Sequence, residues 1–168
     1  VLSLSGNTAD FAVLPKGLLD GVREYTVVMD ARSDSEGDFF TFALGQDQDK
    51  YAFFKIARDH FRFQTTTDTW RGESGFRYDL DASGWHNYIL SVSGGSARLY
   101  VDGVLTAQTT DLTTGPADMG SNLLGYLGKS FYAEDVGFRG ELDNVAIYRQ
   151  ALTPAEAAAL AGKADSSP

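Results

Sequence analysis

The clearest pattern in the chain is an alternation of apolar and polar positions over residues 85–108. Three apolar-rich runs, 88–92, 97–101 and 104–108, are separated by the dipeptides Gly94-Gly95 and Asp102-Gly103. An Asp-Gly dipeptide between β-rich runs is typical of a tight hairpin, because both central residues of such a turn take positive φ. The segment is therefore predicted to be a meander of antiparallel strands.

The middle run of this segment divides its side chains between two faces. Ala97 and Leu99 point one way, and Arg98 and Tyr100 point the other. This alternation predicts one face in the core and a second face that is wet or functional. Trp85, which opens the segment, is interpreted as a core residue or as a residue at the start of a strand.

Shorter runs of the same kind recur along the rest of the chain. They lie at residues 1–4, 11–14, 25–32, 39–44, 51–57, 61–66, 123–128 and 140–148. Residues 72–75 and 109–122 contain glycine and other turn-forming residues and are interpreted as loops. Many short strands separated by turns predict an all-β fold, a two-sheet antiparallel β-sandwich of the jelly-roll type. A barrel is the alternative.

One short helix is predicted near the C-terminus. Thr153 is a good N-cap, Pro154 suits the first helical position, and Glu156 completes a capping box. An alanine-rich run follows, and Gly162 is expected to end the helix. Residues 163–168 are polar and end in Ser-Ser-Pro, which is typical of a linker. The prediction is one sandwich domain over residues 1–162, followed by the start of an interdomain linker.

Composition narrows the chemistry that the chain can perform. With 168 residues, of which 43% are hydrophobic, it can bury one sizeable core. Cysteine is absent, so disulfides, thiolate metal sites and cysteine nucleophiles are excluded. The formal net charge is −9 and no basic run occurs, which disfavours a nucleic-acid partner. No apolar run approaches the ~20 residues that cross a bilayer, so no membrane partner is expected.

Catalytic arrangements are weak in this sequence. Glu141 and Asp143 share one face of a predicted strand, as paired carboxylates do in some glycosidases, but no third carboxylate follows them on that strand. His60 and His86 each stand alone. Neither a Gly-x-Ser-x-Gly elbow nor a Gly-x-Gly-x-x-Gly loop occurs. The chain is therefore expected not to be an enzyme by itself.

Several segments carry a family resemblance. They are Trp85-His86 followed by SVSGGSARLYVDGVLTAQ, then YLGKS at 126–130, GELDNVAIYRQALTPAEAAAL at 140–160, and SLSGNTADFAVLPKGLLDGVREYTV at 3–27. Together they resemble the laminin-G-like, concanavalin A-like jelly-roll modules of bacterial polysaccharide-degrading enzymes. The resemblance implies a curved sandwich with a concave sheet, secreted from the cell. It also implies a glycosidase domain in the same chain, acting on arabinans, other plant polysaccharides or fructans.

The resemblance also implies a structural calcium ion that ties the first turn to the last strand. Calcium takes six to eight oxygen ligands, many of them backbone carbonyls, and so leaves a faint trace in a sequence. Asn7, Asp10 and Asp143 are the side chains expected to bind it. The alternative is an Asx turn at Asn7 and a hydrogen-bonded Asp143 without metal.

Sugar binding requires aromatic faces for C–H-rich rings and planar polar side chains that form paired hydrogen bonds to hydroxyls. The candidate residues come from a loop, from a strand-to-loop segment beside Phe131, and from the polar face of the first long strand: Asp68, Trp70 and Arg71; Tyr126, Lys129 and Tyr132; Asp30 and Arg32. Where similar modules generally carry a bulky aromatic and a lysine, this chain has Asp30 and Arg32. The concave face is therefore expected to differ from that of its relatives.

Three functions compete on these grounds. The leading hypothesis is a non-catalytic carbohydrate-binding module that keeps an attached glycoside hydrolase close to arabinan, fructan or a related glycan by tethering it there. The first alternative is a structural or protein-interaction module that packs on the catalytic domain. A small glycosidase is the less favoured alternative.

Overall fold

The structure is a computed structural model that describes residues 1–165, with side chains for residues 1–162. Its twelve strands are β1 Leu2–Ser5, β2 Ala12–Leu14, β3 Glu24–Ser33, β4 Phe42–Asp47, β5 Lys50–Ala57, β6 His60–Thr66, β7 Ser74–Asp79, β8 His86–Ser93, β9 Ser96–Val101, β10 Val104–Thr109, β11 Leu124–Leu127 and β12 Arg139–Tyr148. The helix α1 spans Pro154–Asp165.

The strands form two six-stranded sheets. The back sheet has the order β1-β12-β3-β8-β9-β10, and the front sheet has the order β2-β11-β4-β5-β6-β7. Every pairing within both sheets is antiparallel. The prediction of a two-sheet antiparallel jelly-roll sandwich with one C-terminal helix is therefore confirmed.

The core lies between the two sheets and contains a stack of aromatic rings. Phe61 of β6 stacks on Phe54 at 5.2 Å between ring centroids and on Tyr88 of β8 at 6.0 Å. Phe54 and Phe61 belong to the front sheet and Tyr88 to the back sheet, so the stack bridges the sandwich. All three side chains are almost completely buried. The strand alternation seen in the sequence thus supplies the residues that hold the sheets together.

The outer face of the back sheet is partly covered by α1. Val28, Ile89 and Tyr100 pack there against Ala157 of the helix. Tyr100 is only 2% exposed, so the outer face of β9 is buried at this position and not wet. The alternation alone could not show this, because the apolar partner of the second face is the helix, which lies far along the chain.

One turn and one helix cap have the structure that the sequence predicts. Asp102 and Gly103 both take positive φ, 52° and 83°, so the predicted tight turn between β9 and β10 is present. The backbone N–H of Glu156 donates to Oγ1 of Thr153 at 3.2 Å, and the backbone N–H of Thr153 donates to Oε1 of Glu156 at 3.0 Å. These two hydrogen bonds are the predicted capping box.

Other boundaries differ from the prediction. Residues 74–79 form strand β7 at the edge of the front sheet, where the sequence suggested a loop that begins at Gly72. Phe76 and Tyr78 alternate with Arg77 and Asp79, but Gly72 and Gly75 just before them favoured a loop. The helix continues through Gly162 to Asp165, so three of the residues expected in a linker are helical. Residues 166–168 lie outside the described part of the chain. Within that part, no helix has the length and apolar character that crossing a membrane requires.

Candidate ligand-binding groove

The outer face of the front sheet carries a second aromatic cluster, separate from the core. Phe40, Tyr51 and Phe53 form its buried base, and Tyr126, Phe131 and Tyr132 pack on them. Strand alternation explains why these rings point outward, because Phe53 alternates with Phe54, which faces the core. The rings of Phe40 and Phe53 are parallel and stacked at 3.9 Å between centroids. The cluster gives this face an apolar floor.

A cavity of about 450 Å³, which we call the aromatic groove, opens over this floor. Phe40 and Phe53 line its base, and Trp70 and Tyr132 line its sides. Its polar lining comes from Asp38, Lys55, Arg62, Glu73, Glu134 and Asp135. The floor rings are almost fully buried, whereas Trp70 is 63% exposed. Trp70 therefore offers the large aromatic face that a ligand can cover.

The loop that carries Trp70 is held by hydrogen bonds to Thr66 and Asp49. Oγ1 of Thr66 donates to the carbonyl of Thr69 at 2.6 Å and accepts from the backbone N–H of Asp68. The backbone N–H of Thr69 donates to the carbonyl of Asp49 at 3.0 Å. Thr69 has a φ of 54°, a conformation that non-glycine residues seldom adopt and that its surroundings impose. The backbone beneath Trp70 is consequently anchored although the indole is exposed.

A hydrogen-bonded network fixes the polar side chains of the groove. The Tyr51 hydroxyl donates to Oε2 of Glu73 at 2.5 Å and lies 2.8 Å from the Tyr132 hydroxyl. Arg62 donates to Oε1 of Glu73 at 2.7 Å, and its guanidinium lies 5.6 Å from the centre of the Phe53 ring. Burial, followed by the bond to Glu73, raises the pKa of Tyr51 far above its ordinary value. Tyr51 therefore stays protonated and acts as a hydrogen-bond donor.

Lys55 stands at one end of the aromatic groove. Its side chain is buried, its Nζ donates to the carbonyl of Gly37 at 2.9 Å, and Nζ lies 5.3 Å from the centre of the Phe39 ring. Burial lowers the pKa of Lys55, and the nearby charge of Arg62 lowers it further. An ammonium group has three donor hydrogens, so two remain for other acceptors.

Asp135 also lines the aromatic groove, from the segment that follows β11. Oγ of Ser130 donates to its Oδ2 at 2.6 Å, and its backbone N–H donates to the carbonyl of Tyr132. Burial raises the pKa of Asp135 above the ordinary 3.8, and the Ser130 hydrogen bond offsets part of the rise. The carboxyl thus keeps its proton to a higher pH than an exposed aspartate.

This raised pKa predicts a pH-dependent contribution to stability. Because the folded pKa of Asp135 is above its unfolded value, the stabilising contribution is complete below the unfolded pKa and is lost as pH rises through the folded pKa. We expect Asp135→Asn to gain stability relative to the native protein as pH rises through this window, which urea unfolding across the acid range measures. A difference between the two proteins that is constant with pH would contradict this prediction, and Asp111→Asn, at an exposed position, is the control.

The structure brings together part of the predicted sugar-binding set. Trp70 and Tyr132 both line the aromatic groove. Asp68 and Arg71 flank Trp70 on its loop, with the Arg71 guanidinium 5.5 Å from the indole centre. Tyr126 packs in the aromatic cluster, and Lys129 Nζ lies 5.4 Å from its ring centre. These residues all lie on the front side of the sandwich.

Asp30 and Arg32 lie elsewhere. Both point outward from β3 of the back sheet, on the side of the molecule opposite the groove. Asp30 accepts hydrogen bonds from the side-chain amides of Asn87 and Asn144, at 2.9 and 2.7 Å. Arg32 pairs with Glu141 at 2.7 Å and with Asp34 at 3.0 Å. Both side chains have hydrogen-bond or ion-pair partners within the protein, and neither contributes to the groove.

Six charged residues of the groove could not be found from the sequence: Asp38, Lys55, Arg62, Glu73, Glu134 and Asp135. A charged residue does not by itself mark a binding site in a sequence, because a charged residue on an outward strand position is usually solvated. Lys55 and Arg62 are directly opposite each other in the register of β5 and β6, a pairing that requires the strand register to be known. Glu73 immediately precedes β7, the strand that the sequence did not reveal.

The predicted calcium ligands do not meet at one place. Asn7 and Asp10 share a turn, where Oδ1 of Asn7 accepts from the backbone N–H of Ala9 and Oδ2 of Asp10 accepts from that of Ser5. Asp143 lies beside the N-terminus of the chain, six residues beyond Gly137, which approaches Asn7. Six extended residues span about 20 Å. The described residues also include no group of three or more His, Cys, Asp or Glu side chains suited to a metal. These three side chains therefore do not fit a single ion.

The paired carboxylates of β12 and the two histidines also have structural partners. Glu141 is held by Arg32, and Oδ1 of Asp143 accepts from the backbone N–H of Asn144. His60 Nδ1 lies 2.7 Å from Asp59, and His86 Nδ1 lies 2.6 Å from Asp102. Trp85 immediately precedes β8 and is 46% exposed, so it begins a strand and does not belong to the core.

The sequence of the chain is similar to those of known proteins. The family described as the concanavalin A-like lectin/glucanases superfamily matches residues 5–158. An α-L-arabinofuranosidase from Bifidobacterium longum subsp. longum is 26% identical over 146 residues, which cover 78% of this chain and 14% of that enzyme. The chain thus spans about one seventh of the length of this curated relative.

Solved structures share the fold. Domain 4 of a GH43 extracellular arabinanase from Geobacillus stearothermophilus, in complex with arabinotriose, superposes with a TM-score of 0.77 at 22% identity, covering 95% of this chain and 75% of that one. The CBM40 of a Ruminococcus gnavus IT-sialidase, bound to α2,3-sialyllactose, gives a TM-score of 0.68 at 18% identity, with coverage of 90% and 96%. At these identities the likeness concerns the fold.

Proposed function

The chain belongs to the concanavalin A-like lectin/glucanases superfamily, and on this premise we propose that it is a non-catalytic carbohydrate-binding module. Its ligand in this proposal is a neutral polysaccharide such as arabinan. The observation that carries the proposal is the aromatic groove, in which the exposed face of Trp70 stands beside Arg62 and Glu73. A ring face and a set of oriented donors and acceptors are what sugar recognition requires.

The charges of the groove favour a neutral ligand. Four carboxylates and two basic side chains line it, so an anionic sugar would meet an excess of negative charge. Sugar hydroxyls can donate to the carboxylates and accept from Arg62 and Lys55. Arabinan is preferred among neutral polymers because relatives in sequence and fold are an arabinofuranosidase and an arabinanase domain with arabinotriose. Fructans are the alternative.

The arrangement of Glu73 suits a binding role. One of its oxygens accepts from the Tyr51 hydroxyl and the other from Arg62. These bonds orient the carboxylate, and each oxygen keeps a lone pair that can accept from a sugar hydroxyl. Tethering would then be the contribution of the module, raising the local concentration of substrate around an attached glycosidase outside the cell.

Fluorescence can test this function directly, because the chain has only two tryptophans. In a Trp85→Phe variant the emission comes from Trp70 alone. We expect a saturable change in this emission when arabinan is added, because a sugar ring that covers the indole replaces water. Native gels that contain arabinan, levan, inulin or galactan should show retardation with the same preference.

The matched control is Trp70→Phe, which leaves Trp85 as the reporter and should show no emission change. Absence of retardation by all four polysaccharides would contradict the proposal. If deleting the module from its parent enzyme lowered thermal stability and left adsorption to polysaccharide unchanged, the structural alternative would replace it.

A further inference from the structure

A second cavity of about 1030 Å³ adjoins the aromatic groove on the same face of the front sheet. We call it the polar chamber. Asp38 and Lys55 line both cavities, so the two adjoin at these residues. Among the described residues, no aromatic ring other than the imidazole of His60 lines the polar chamber. It is therefore a space of different chemistry beside the groove.

Strand register shows how the two spaces are arranged. Phe53 of the aromatic groove, Lys55 at the junction and Ala57 of the polar chamber follow one another along the outer side of β5. The four residue steps from Phe53 to Ala57 span about 13 Å of strand. This length exceeds the width of one furanose or pyranose ring. A ligand that follows the strand direction would therefore extend from one space into the other.

The side chains of the polar chamber can exchange their present partners for a ligand. Arg58 lies 3.9 Å from Glu36, and Arg77 lies 2.9 Å from Asp79, with more than half of each of these side chains exposed. Exposed ion pairs contribute little to stability, typically below about 1 kcal/mol. Guanidinium and carboxylate groups form paired hydrogen bonds, which suits neighbouring hydroxyls on one ring.

The net charge of the chamber limits the class of ligand. Five carboxylates and three basic side chains line it, so a sugar acid would again meet excess negative charge. Lys55 is placed to contact both halves of an extended ligand, because only one of its three donor hydrogens is used by the carbonyl of Gly37. The chemistry that fits is a neutral chain with several hydroxyls on each unit.

From this adjacency we propose that the polar chamber is a second binding region, which holds the units of a neutral polysaccharide that follow the unit stacked on Trp70. This proposal rests on the proposed function, since it extends the same ligand beyond the aromatic groove. Its consequence is that affinity rises with chain length until both spaces are filled. Short oligosaccharides occupy the aromatic groove alone.

Isothermal titration with linear arabino-oligosaccharides of increasing length tests the proposal. For the native protein we expect the Kd to fall about tenfold from the shortest binding oligosaccharide to the longest, which corresponds to about 1.4 kcal/mol. Arg77 and Asp81 both line the polar chamber. Arg77→Ala and Asp81→Asn should bind the shortest oligosaccharide as the native protein does and lose most of the gain with length. Arg98→Ala, at an exposed position on the back sheet, is the matched control and should keep the gain.

The results of this titration distinguish a failure of the second binding region from a failure of the proposed carbohydrate-binding function. If short oligosaccharides bind but the Kd does not change with length, or if Arg77→Ala and Asp81→Asn keep the full gain, the polar chamber has no role and the proposed function survives. If no oligosaccharide of any length binds to the native protein, both proposals are overturned. Tighter binding of an oligogalacturonide than of the neutral oligosaccharide of equal length would overturn the assignment of a neutral chain.

Discussion

Replacement of Trp70 by alanine is expected to weaken arabinan binding by about 30-fold. The indole is the large exposed aromatic face of the groove, at 63% exposure, while the other rings there are mostly buried. Central aromatic residues of binding sites typically contribute about 2 kcal/mol or more, which is roughly this factor in Kd. Affinity electrophoresis in gels with increasing arabinan concentration measures the change.

The fold should not suffer from this substitution. Trp70 lies on a loop whose backbone is held by Thr66 and Asp49, and an exposed substitution changes stability by less than about 0.5 kcal/mol in most proteins. Trp85→Ala is the matched control, because Trp85 is also half exposed but immediately precedes β8 of the back sheet. Equal losses of affinity in the two variants would show that the binding surface lies elsewhere.

Phe61→Ala is expected to destabilise the folded protein by about 3–5 kcal/mol. The Phe61 ring is fully buried and contacts Phe54, Phe76 and Tyr88, so its removal opens a cavity between the sheets. For a domain of this size the loss corresponds to a fall in Tm of roughly 10 °C. Urea unfolding followed by near-ultraviolet circular dichroism would measure it.

Val104→Ala provides the comparison for Phe61→Ala, because Val104 is 66% exposed on an edge strand and should change stability by less than about 0.5 kcal/mol. A loss below about 1 kcal/mol in Phe61→Ala would mean that the sheets close over the gap, and that the aromatic stack does not hold them apart.

The fold could be predicted from the sequence because its determinants are local. Asp102-Gly103 requires positive φ, and the alternation on either side of it assigns Leu99 and Leu90 to the core. Thr153 and Glu156 mark the helix start through their own side chains. Strand β7 was not predicted because the glycines at 72 and 75 favour a loop, although Phe76 and Tyr78 beyond them alternate with polar residues.

The groove was less predictable because it forms from residues far apart in the chain. Tyr51, Glu73 and Tyr132 meet through hydroxyl and carboxylate groups, yet nothing in their local sequence indicates this meeting. Trp70 and Tyr132 could be predicted, because each is an aromatic residue in or beside a loop with polar residues nearby. Asp30 and Arg32 were predicted from the polar face of the first long strand and lie on the other sheet, since alternation assigns a residue to an outer face without telling which sheet carries the groove.

The network around Glu73 has a thermodynamic consequence for recognition. Arg62, Tyr51 and Tyr132 already hold their orientations through mutual hydrogen bonds within the protein. Each mobile side chain that must be ordered on binding costs about 0.5–1.5 kcal/mol of conformational entropy. Because this cost is met during folding, the groove is preorganised, and a sugar that enters it keeps a larger share of its contact free energy as affinity.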